Sequence, residues 1–229
     1  MKKVETLKNE SPVIAKAYEL AKRAHEGVKR ASGEPYFNHC LATAQNLLDW
    51  GMDEPTIAAG LIHDVVEDTP ATIEDIKKDF GDEIAFLVNG VTKLGTIKYR
   101  GREAQAETLR KMVLAMAEDL RVVLIKLADR RHNMQTLKAL APQKQKRIAE
   151  ETLEIYSPLA YRLGMQRLSG ELEDLSFPYI YPQEYRWLIE NVAERYEQRE
   201  KYLRKIQPIL EKALREAGIE PIAVDFRAK

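Results

Sequence analysis

Helical periodicity runs through almost the whole of this 229-residue chain. In one segment after another, apolar residues recur three and four positions apart, as they do on the buried face of an α-helix. Short stretches that contain glycine or proline separate these segments. The first clear helix start is Ser11-Pro12, a capping side chain followed by proline at the first helical position. The sequence therefore predicts an all-α fold, a bundle of helices.

The charge pattern changes toward the C-terminus. Residues 193–217 are far more charged than those before them, and Ile219 to Phe226 alternate between apolar and polar as in a strand. A lone strand has nothing to pair with. We therefore expect a helical domain over 1–192. Residues 193–229 are expected to be a charged connector helix and a short strand-like tail that begins a further, missing domain.

Composition narrows the possible partners and locations. The chain has 36 basic and 36 acidic residues, so no overall field favours nucleic acid or a membrane surface. No apolar run approaches the roughly 18–20 residues that span a bilayer, and MKKVETLKNE, with no apolar stretch behind its basic residues, is not expected to act as a signal peptide. The single cysteine, Cys40, excludes an internal disulfide and suits a reducing compartment. These features predict a cytoplasmic protein without membrane or nucleic-acid partners.

The stretch GLIHDVVEDT places His63 and Asp64 side by side at the end of an apolar helix. A buried imidazole and carboxylate are costly unless something binds them, and a divalent metal ion is the usual partner. Glu67 and Asp68 follow about one helical turn later, where they could take a proton from a water molecule near that metal. The alternative is a helix end with ordinary surface charges.

Two further residues complete a candidate set of metal ligands. The four candidates are His39, His63, Asp64 and Asp129. A mixture of imidazole and carboxylate without thiolate favours an open catalytic site for manganese, iron or zinc over a closed structural zinc site. Taken alone, His39 could cap its helix and Asp129 could pair with a basic neighbour. Those neighbours are Lys126, Arg130 and Arg131.

One helix carries a polar face among apolar residues. Asp129, Asn133 and Thr136 stand at i, i+4 and i+7 in LRVVLIKLADRRHNMQTL and so share a face. His25 and His132 have no comparable acidic partner and are interpreted as structural or surface residues. The polar, basic stretch 96–105 is interpreted as a mobile loop.

Long motifs in this order resemble one enzyme family. RASGEPYFNH, GLIHDVVEDT, AETLRKMVLAM, LRVVLIKLADRRHNMQTL and YSPLAYRLGM are similar to the hydrolase domain of the RelA/SpoT family. These enzymes make and degrade guanosine tetra- and pentaphosphate, (p)ppGpp. The resemblance runs from about residue 12 to 190. The charged helix and IAVDFRAK resemble the entry to the family's synthetase domain, so the missing synthetase and regulatory domains are expected partners.

The resemblance implies a helical HD-domain phosphohydrolase that uses Mn²⁺. Its expected reaction, part of the stringent response, removes the 3′-pyrophosphate of ppGpp or pppGpp and yields GDP or GTP plus pyrophosphate. The four candidate ligands match the family's metal ligands, and Glu67 and Asp68 match its hydrolytic acidic pair. Substrate contacts are also implied by matching positions. Arg30 and Ser32 match residues near guanine, and Asn133 and Thr136 match residues that face the ribose and phosphates.

Two departures from the family pattern leave an alternative open. Ala31 and Gln135 stand where the family often has basic residues, which removes positive charge where a polyanion would bind. One alternative is a catalytically weak module that senses alarmone and regulates a synthetase. The HD residues taken alone leave open a second alternative, an HD phosphohydrolase that acts on a different nucleotide.

Overall fold

The computed structural model describes residues 3–95, 101–222 and 224, except for the side chains at 95, 101–109 and 192–200. Every regular element in this described part is helical. The extended structure there is limited to one isolated antiparallel bridge, between Lys29 and Pro35. The predicted all-α fold is therefore confirmed.

Twelve α-helices can be numbered along these residues. They are α1 Val4–Leu7, α2 Pro12–Ala24, α3 Phe37–Asp49, α4 Glu54–Ile62, α5 Val65–Asp68, α6 Ile73–Gly95, α7 Gly101–Glu118, α8 Leu120–Gln135, α9 Pro142–Glu151, α10 Ser157–Arg162, α11 Gln166–Ile180 and α12 Pro182–Glu216. A 3₁₀ turn, Leu137–Ala139, follows α8, and a π-helical stretch, Thr152–Tyr156, joins α9 to α10.

Side-chain caps define where three of these helices begin. Ser11 Oγ accepts a hydrogen bond from the Ile14 amide at 3.4 Å, as expected for the start of α2. An aspartate has the same role elsewhere. Asp53 caps α4, and Asp119 caps α8. The first amides of a helix have no carbonyl partner within it, so these oxygens satisfy them and fix the start of each helix.

Helix α4 is the centre of the bundle. It contacts α2, α3, α6 and α8, and its residues from Thr56 to Ile62 are all buried. At Gly60 a Cβ atom would collide with the side chain of Leu47, so glycine allows α3 to approach closely. Because α4 is surrounded on every side, the polar residues that follow its C-terminal end emerge inside the protein rather than at its surface.

Gly81 divides α6 into two helical segments. Its backbone has φ 84° and ψ 175°, a region that residues with a Cβ rarely adopt. In the sequence, Gly81 separates two stretches of helical apolar spacing, 72–80 and 82–94, which predicts the same break. Residues 101–105 belong to α7, so the loop prediction is wrong there. The remainder of that predicted loop, 96–100, lies outside the described residues.

The π-helical stretch aligns two sets of contacts. The Tyr156 ring, at its last position, lies 4.0 Å from the guanidinium carbon of Arg130 on α8. The next residue, Ser157, places its Oγ 3.0 Å from Glu173 Oε1 on α11. Consecutive side chains thus meet two different helices.

The chain forms two compact units, Met1–Ile180 and Tyr181–Lys229. Helix α12 belongs to the second unit and passes continuously through position 192. The domain boundary expected between residues 192 and 193 stays a prediction. Of the strand-like tail, the described residues 219–222 and 224 are not in a strand, and the rest lies outside the described residues. Among the described residues, no helix is long and apolar enough to span a membrane.

Candidate metal centre

The four predicted ligands come from three helices that pack against one another. His39 lies in the first turn of α3, His63 and Asp64 follow the end of α4, and Asp129 lies on α8. Helices α3, α4 and α8 contact each other in all three pairs. His39, His63 and Asp129 are buried, and the Asp64 side chain is 13% exposed. The packing of apolar helices therefore concentrates four polar side chains at one point.

The ligand atoms of these side chains lie close together. His39 Nε2 is 3.3 Å from Asp129 Oδ1 and 3.5 Å from Asp64 Oδ2. His63 Nε2 is 3.0 Å from Asp64 Oδ2 and 4.0 Å from Asp129 Oδ1. One atom each from His39, His63 and Asp129 lies within 4.8 Å of the others, a group that could hold a metal ion.

The His63 ring is oriented so that its Nε2 faces the carboxylates. Its Nδ1 is 2.9 Å from the carbonyl oxygen of Gly60, which can only accept, so Nδ1 carries a hydrogen. Its Nε2 is fully buried and makes no hydrogen bond within the described part of the chain. Beside ionised oxygens this nitrogen either carries a second hydrogen or shares its lone pair with a metal cation. The donor set of two imidazoles and two carboxylates thus fits a divalent metal.

The electrostatics favour positive charge at this point. Burial opposes charge on His63, but the Asp64 and Asp129 carboxylates outweigh it and raise its pKa to about 9. Burial likewise opposes ionisation of Asp64, yet His63 and His39 hold the pKa of this carboxyl well below its ordinary value. The pKa of Asp129 is also lowered despite burial, mainly by Lys126 and His39. Both carboxylates are therefore ionised at neutral pH.

Two residues that support the carboxylates were not predicted as part of the site. The Tyr36 hydroxyl donates to Asp64 Oδ2 at 2.8 Å. Lys126 Nζ lies 3.0 Å from Asp129 Oδ2, and the lysine side chain is 13% exposed. The sequence held a signal for this lysine, since it precedes Asp129 by one turn. Pairing with Lys126 was considered as an alternative to metal binding, but it engages one oxygen of Asp129 and leaves the other facing His39.

His132 also belongs to the site, contrary to its interpretation as a structural or surface residue. Its Nδ1 lies 2.8 Å from His39 Nδ1 and 2.9 Å from Arg30 Nη1. Burial lowers the pKa of His132 to about 4, and the neighbouring His39 and Arg30 add to this effect. The ring is therefore neutral at physiological pH. It connects a predicted metal ligand to a predicted substrate residue.

The acidic pair lies on the short helix α5, immediately after Asp64. Glu67 and Asp68 are both exposed. Partial burial raises the pKa of the Glu67 carboxyl, and Asp64 adds to this, although Lys126 opposes it. Asp68 Oδ2 lies 3.8 Å from the buried Nε2 of His25. The structure thus presents the pair to solvent on the segment that carries a metal-ligand candidate.

Three of the four predicted substrate residues meet in one hydrogen-bonded group. Arg30 Nη1 lies 3.3 Å from Thr136 Oγ1, and Arg30 Nη2 donates to Asn133 Oδ1. The Asn133 amide in turn donates to Asp129 Oδ1, which links the group to the metal-ligand cluster. Ser32 lies exposed in the turn that the Lys29–Pro35 bridge closes, outside this group.

Gln135, one of the two positions that depart from the family pattern, faces another helix. Gln135 Nε2 donates to Glu171 Oε1 at 3.1 Å, and Arg131 pairs with the same carboxylate at 2.9 Å. An arginine at position 135 would meet this carboxylate as well. The loss of charge at Gln135 therefore falls on the contact between α8 and α11. Ala31 is exposed beside Arg30.

The chain is similar to known proteins over most of its length. The HD domain family profile matches residues 17–166, which include the four predicted ligands. A solved structure of a metazoan ortholog of SpoT, described as hydrolysing ppGpp, superposes with a TM-score of 0.57 at 26% identity. That match covers 72% of this chain and 94% of the other.

Curated bacterial relatives are more similar in sequence. The bifunctional (p)ppGpp synthase/hydrolase SpoT of Escherichia coli is 51% identical over 94% of this chain and 31% of its own length. The GTP pyrophosphokinase of Streptomyces coelicolor is 52% identical over 90% of this chain and 24% of its own length. The chain thus spans about a quarter to a third of these relatives. Their names confirm the resemblance to the RelA/SpoT enzymes, and the profile match shows that the chain belongs to the HD domain family.

Proposed function

We propose that this chain is a manganese-dependent guanosine-3′,5′-bis(diphosphate) 3′-pyrophosphohydrolase. It removes the 3′-pyrophosphate of ppGpp or pppGpp, gives GDP or GTP, and acts in the stringent response in the cytoplasm. The observation that carries the proposal is the cluster of two imidazoles and two ionised carboxylates, joined through Asn133 to Arg30 and Thr136. Relatives at about 50% identity that are named for this activity support it.

The side chains that would hold the cation are His39, His63, Asp64 and Asp129. Their nitrogen and oxygen donors suit manganese, and none of the four is a cysteine, the ligand that a structural zinc site would favour. When bound, such a cation supplies positive charge to phosphoryl oxygens and lowers the pKa of a water molecule toward neutrality. Tyr36 and Lys126 hold the two carboxylates in place through their hydrogen bond and ion pair.

Glu67 and Asp68 are proposed to manage the proton of the attacking water. The raised pKa of Glu67 suits a general base that operates near neutral pH. The water oxygen forms a bond to the 3′ phosphorus, and the bond from that phosphorus to the ribose 3′ oxygen breaks. The ribose oxygen then takes up a proton, which leaves a 3′-hydroxyl and free pyrophosphate.

Arg30, Asn133 and Thr136 are proposed to bind the nucleotide, with Ser32 at the edge of the site. A guanidinium is a planar cation that stacks on a purine ring, and amide and hydroxyl groups bond to ribose and phosphate oxygens. These groups bond to one another in the structure. The nucleotide would therefore replace protein–protein hydrogen bonds with its own.

The test is incubation of the purified chain with ppGpp and Mn²⁺, followed by chromatography of the products. We expect release of pyrophosphate that a chelator abolishes and that Asp64→Ala removes. Asp82→Ala is the matched control, because Asp82 pairs with Lys77 at the exposed surface. Pyrophosphate release that survives in Asp64→Ala would refute the site.

The same assay separates the proposal from its alternatives. Tight binding of ppGpp without turnover would favour a sensor that serves the synthetase and regulatory domains proposed as partners. Turnover of another nucleotide in a panel, with ppGpp untouched, would favour a different HD phosphohydrolase. Titration with Mn²⁺, Mg²⁺, Zn²⁺ and Fe²⁺ tests the choice of metal.

A further inference from the structure

We propose that His132 is a positioning residue that holds His39 in the ring form able to bind a metal, and that Arg30 holds His132 in the form this requires. The inference rests on the proposed metal site. It adds an energetic connection between that site and the proposed nucleotide-binding arginine.

The argument starts from the guanidinium. Arginine nitrogens donate hydrogen bonds and never accept them. Because Arg30 Nη1 lies 2.9 Å from His132 Nδ1, that nitrogen must offer its lone pair. His132 therefore carries its hydrogen on Nε2.

The next hydrogen bond then has only one possible direction. His39 Nδ1 lies 2.8 Å from the same nitrogen of His132, which can only accept, so the Arg30 guanidinium and His39 share its one lone pair. His39 Nδ1 must be the donor, so the lone pair of a neutral His39 ring is on Nε2. That atom faces Asp64 Oδ2 and Asp129 Oδ1 at 3.5 and 3.3 Å. Two successive hydrogen bonds thus leave His39 ready to coordinate a cation.

The two predicted histidine ligands are oriented by different kinds of acceptor. His63 donates to the carbonyl oxygen of Gly60, which can only accept. His39 donates to an imidazole, which could equally donate if its hydrogen moved to Nδ1. In that reversed form His39 would present an N–H to the carboxylates and lose the lone pair that binds metal. Arg30 removes this ambiguity, because its presence forces His132 to accept.

This arrangement predicts how the metal affinity responds to substitution. Loss of a hydrogen-bond partner behind a ligating histidine costs about 10–100-fold in metal affinity. We therefore expect His132→Phe to bind Mn²⁺ about 10–100-fold more weakly than the wild type. His132→Asn places an amide oxygen near the position of Nδ1, where it can accept the hydrogen bond from His39. Its metal affinity should therefore stay within about 3-fold of the wild type, a much smaller loss than when the partner is removed without replacement. Arg30→Met should weaken binding by about 2-fold or more, because only part of the population then has the competent ring form.

The experiment combines two measurements on the whole chain. Calorimetric titration with Mn²⁺ gives the affinity of the wild type, the variants and Arg147→Met, a control at an exposed arginine. Nitrogen-15 spectra of the imidazole rings give the protonated nitrogen, and four histidines make them simple to assign. In the metal-free wild type at mildly alkaline pH, His132 should be protonated at Nε2.

Two results would overturn the inference. One is a His132 ring protonated at Nδ1. The other is equal metal affinity in His132→Phe and His132→Asn, since a purely structural role would affect both alike. If His132→Phe fails to fold, the ring spectra and the affinity of Arg30→Met decide instead. A wild type that binds no divalent cation would refute the proposed function, whereas the His132 spectrum of the metal-free chain still tests the orientation itself.

Discussion

Lys126→Met removes one partner of a buried ion pair and should destabilise the chain strongly when no divalent metal is bound. Lys126 and Asp129 have side chains that are 13% and 7% exposed, and their charged atoms are 3.0 Å apart. Methionine has a similar length and flexibility, so it leaves little empty volume. The main effect is that one oxygen of the Asp129 carboxylate stays buried without its cation.

The size of the effect follows from this burial. Removing one partner of a buried ion pair costs about 3–5 kcal/mol, since the other charge remains uncompensated. For a chain of this size each kcal/mol lowers Tm by about 2–4 °C. We therefore expect the Tm of Lys126→Met to fall by roughly 6–20 °C in the presence of a chelator.

Added metal should reduce this deficit. A divalent cation neutralises Asp129 in place of the lysine, and the repulsion between that cation and Lys126 is gone. The rise in Tm on addition of Mn²⁺ should therefore be larger for Lys126→Met than for the wild type. This second comparison distinguishes loss of a charge partner from a general packing defect, which metal would not repair.

The assay is thermal unfolding followed by circular dichroism, with chelator and with Mn²⁺. Lys146→Met is the matched control, because Lys146 is 64% exposed and lies 3.8 Å from Glu150 one turn away. Such surface pairs contribute about 0.5 kcal/mol or less, so its Tm should change by no more than about 2 °C. Equal Tm values for the two variants in chelator would refute the reasoning.

Three further substitutions test other parts of the structure. Gly81→Ala should lower the free energy of unfolding, measured by chemical denaturation, by about 1–3 kcal/mol. The φ of 84° strains any residue with a Cβ, although no atom lies within 4 Å of that Cβ. Unchanged stability would contradict the kink. Tyr36→Phe should lower the free energy of unfolding by about 1.5–3 kcal/mol in the same measurement, since the hydroxyl donates to the charged Asp64. A denaturation midpoint equal to that of the wild type would show that this hydrogen bond does not stabilise the fold. Glu67→Gln should reduce pyrophosphate release by about 10²–10⁴-fold with Mn²⁺ affinity unchanged, and a weakened affinity would instead make Glu67 a ligand.

The sequence predicted the helices and the convergence of the ligand candidates because both follow from local patterns. Apolar spacing and caps such as Ser11 and Asp53 set the helix starts. A histidine and an aspartate directly after a helix that is apolar all round had to emerge inside the protein. The face shared by Asp129 and Asn133 follows from helical geometry alone, and the structure links the two residues by a hydrogen bond.

What the sequence could not predict depends on contacts between distant segments. Tyr36 and Asp64 are 28 positions apart, and Arg30 and His132 are 102 apart. No spacing rule relates such pairs, so the contacts of His132 were missed. The loop prediction failed at 101–105 because charged residues are compatible with an exposed helix as well as with a loop.

The π-helical stretch Thr152–Tyr156 makes the chain sensitive to length at one place. An extra residue in a helical turn rotates everything after it by about 100° relative to a regular α-helix. Deleting one residue there would restore regular winding, and Tyr156 and Ser157 could no longer reach Arg130 and Glu173 together. Substitutions in this segment should be tolerated more readily than a single-residue deletion, which would misalign α10 with the helix that carries Asp129.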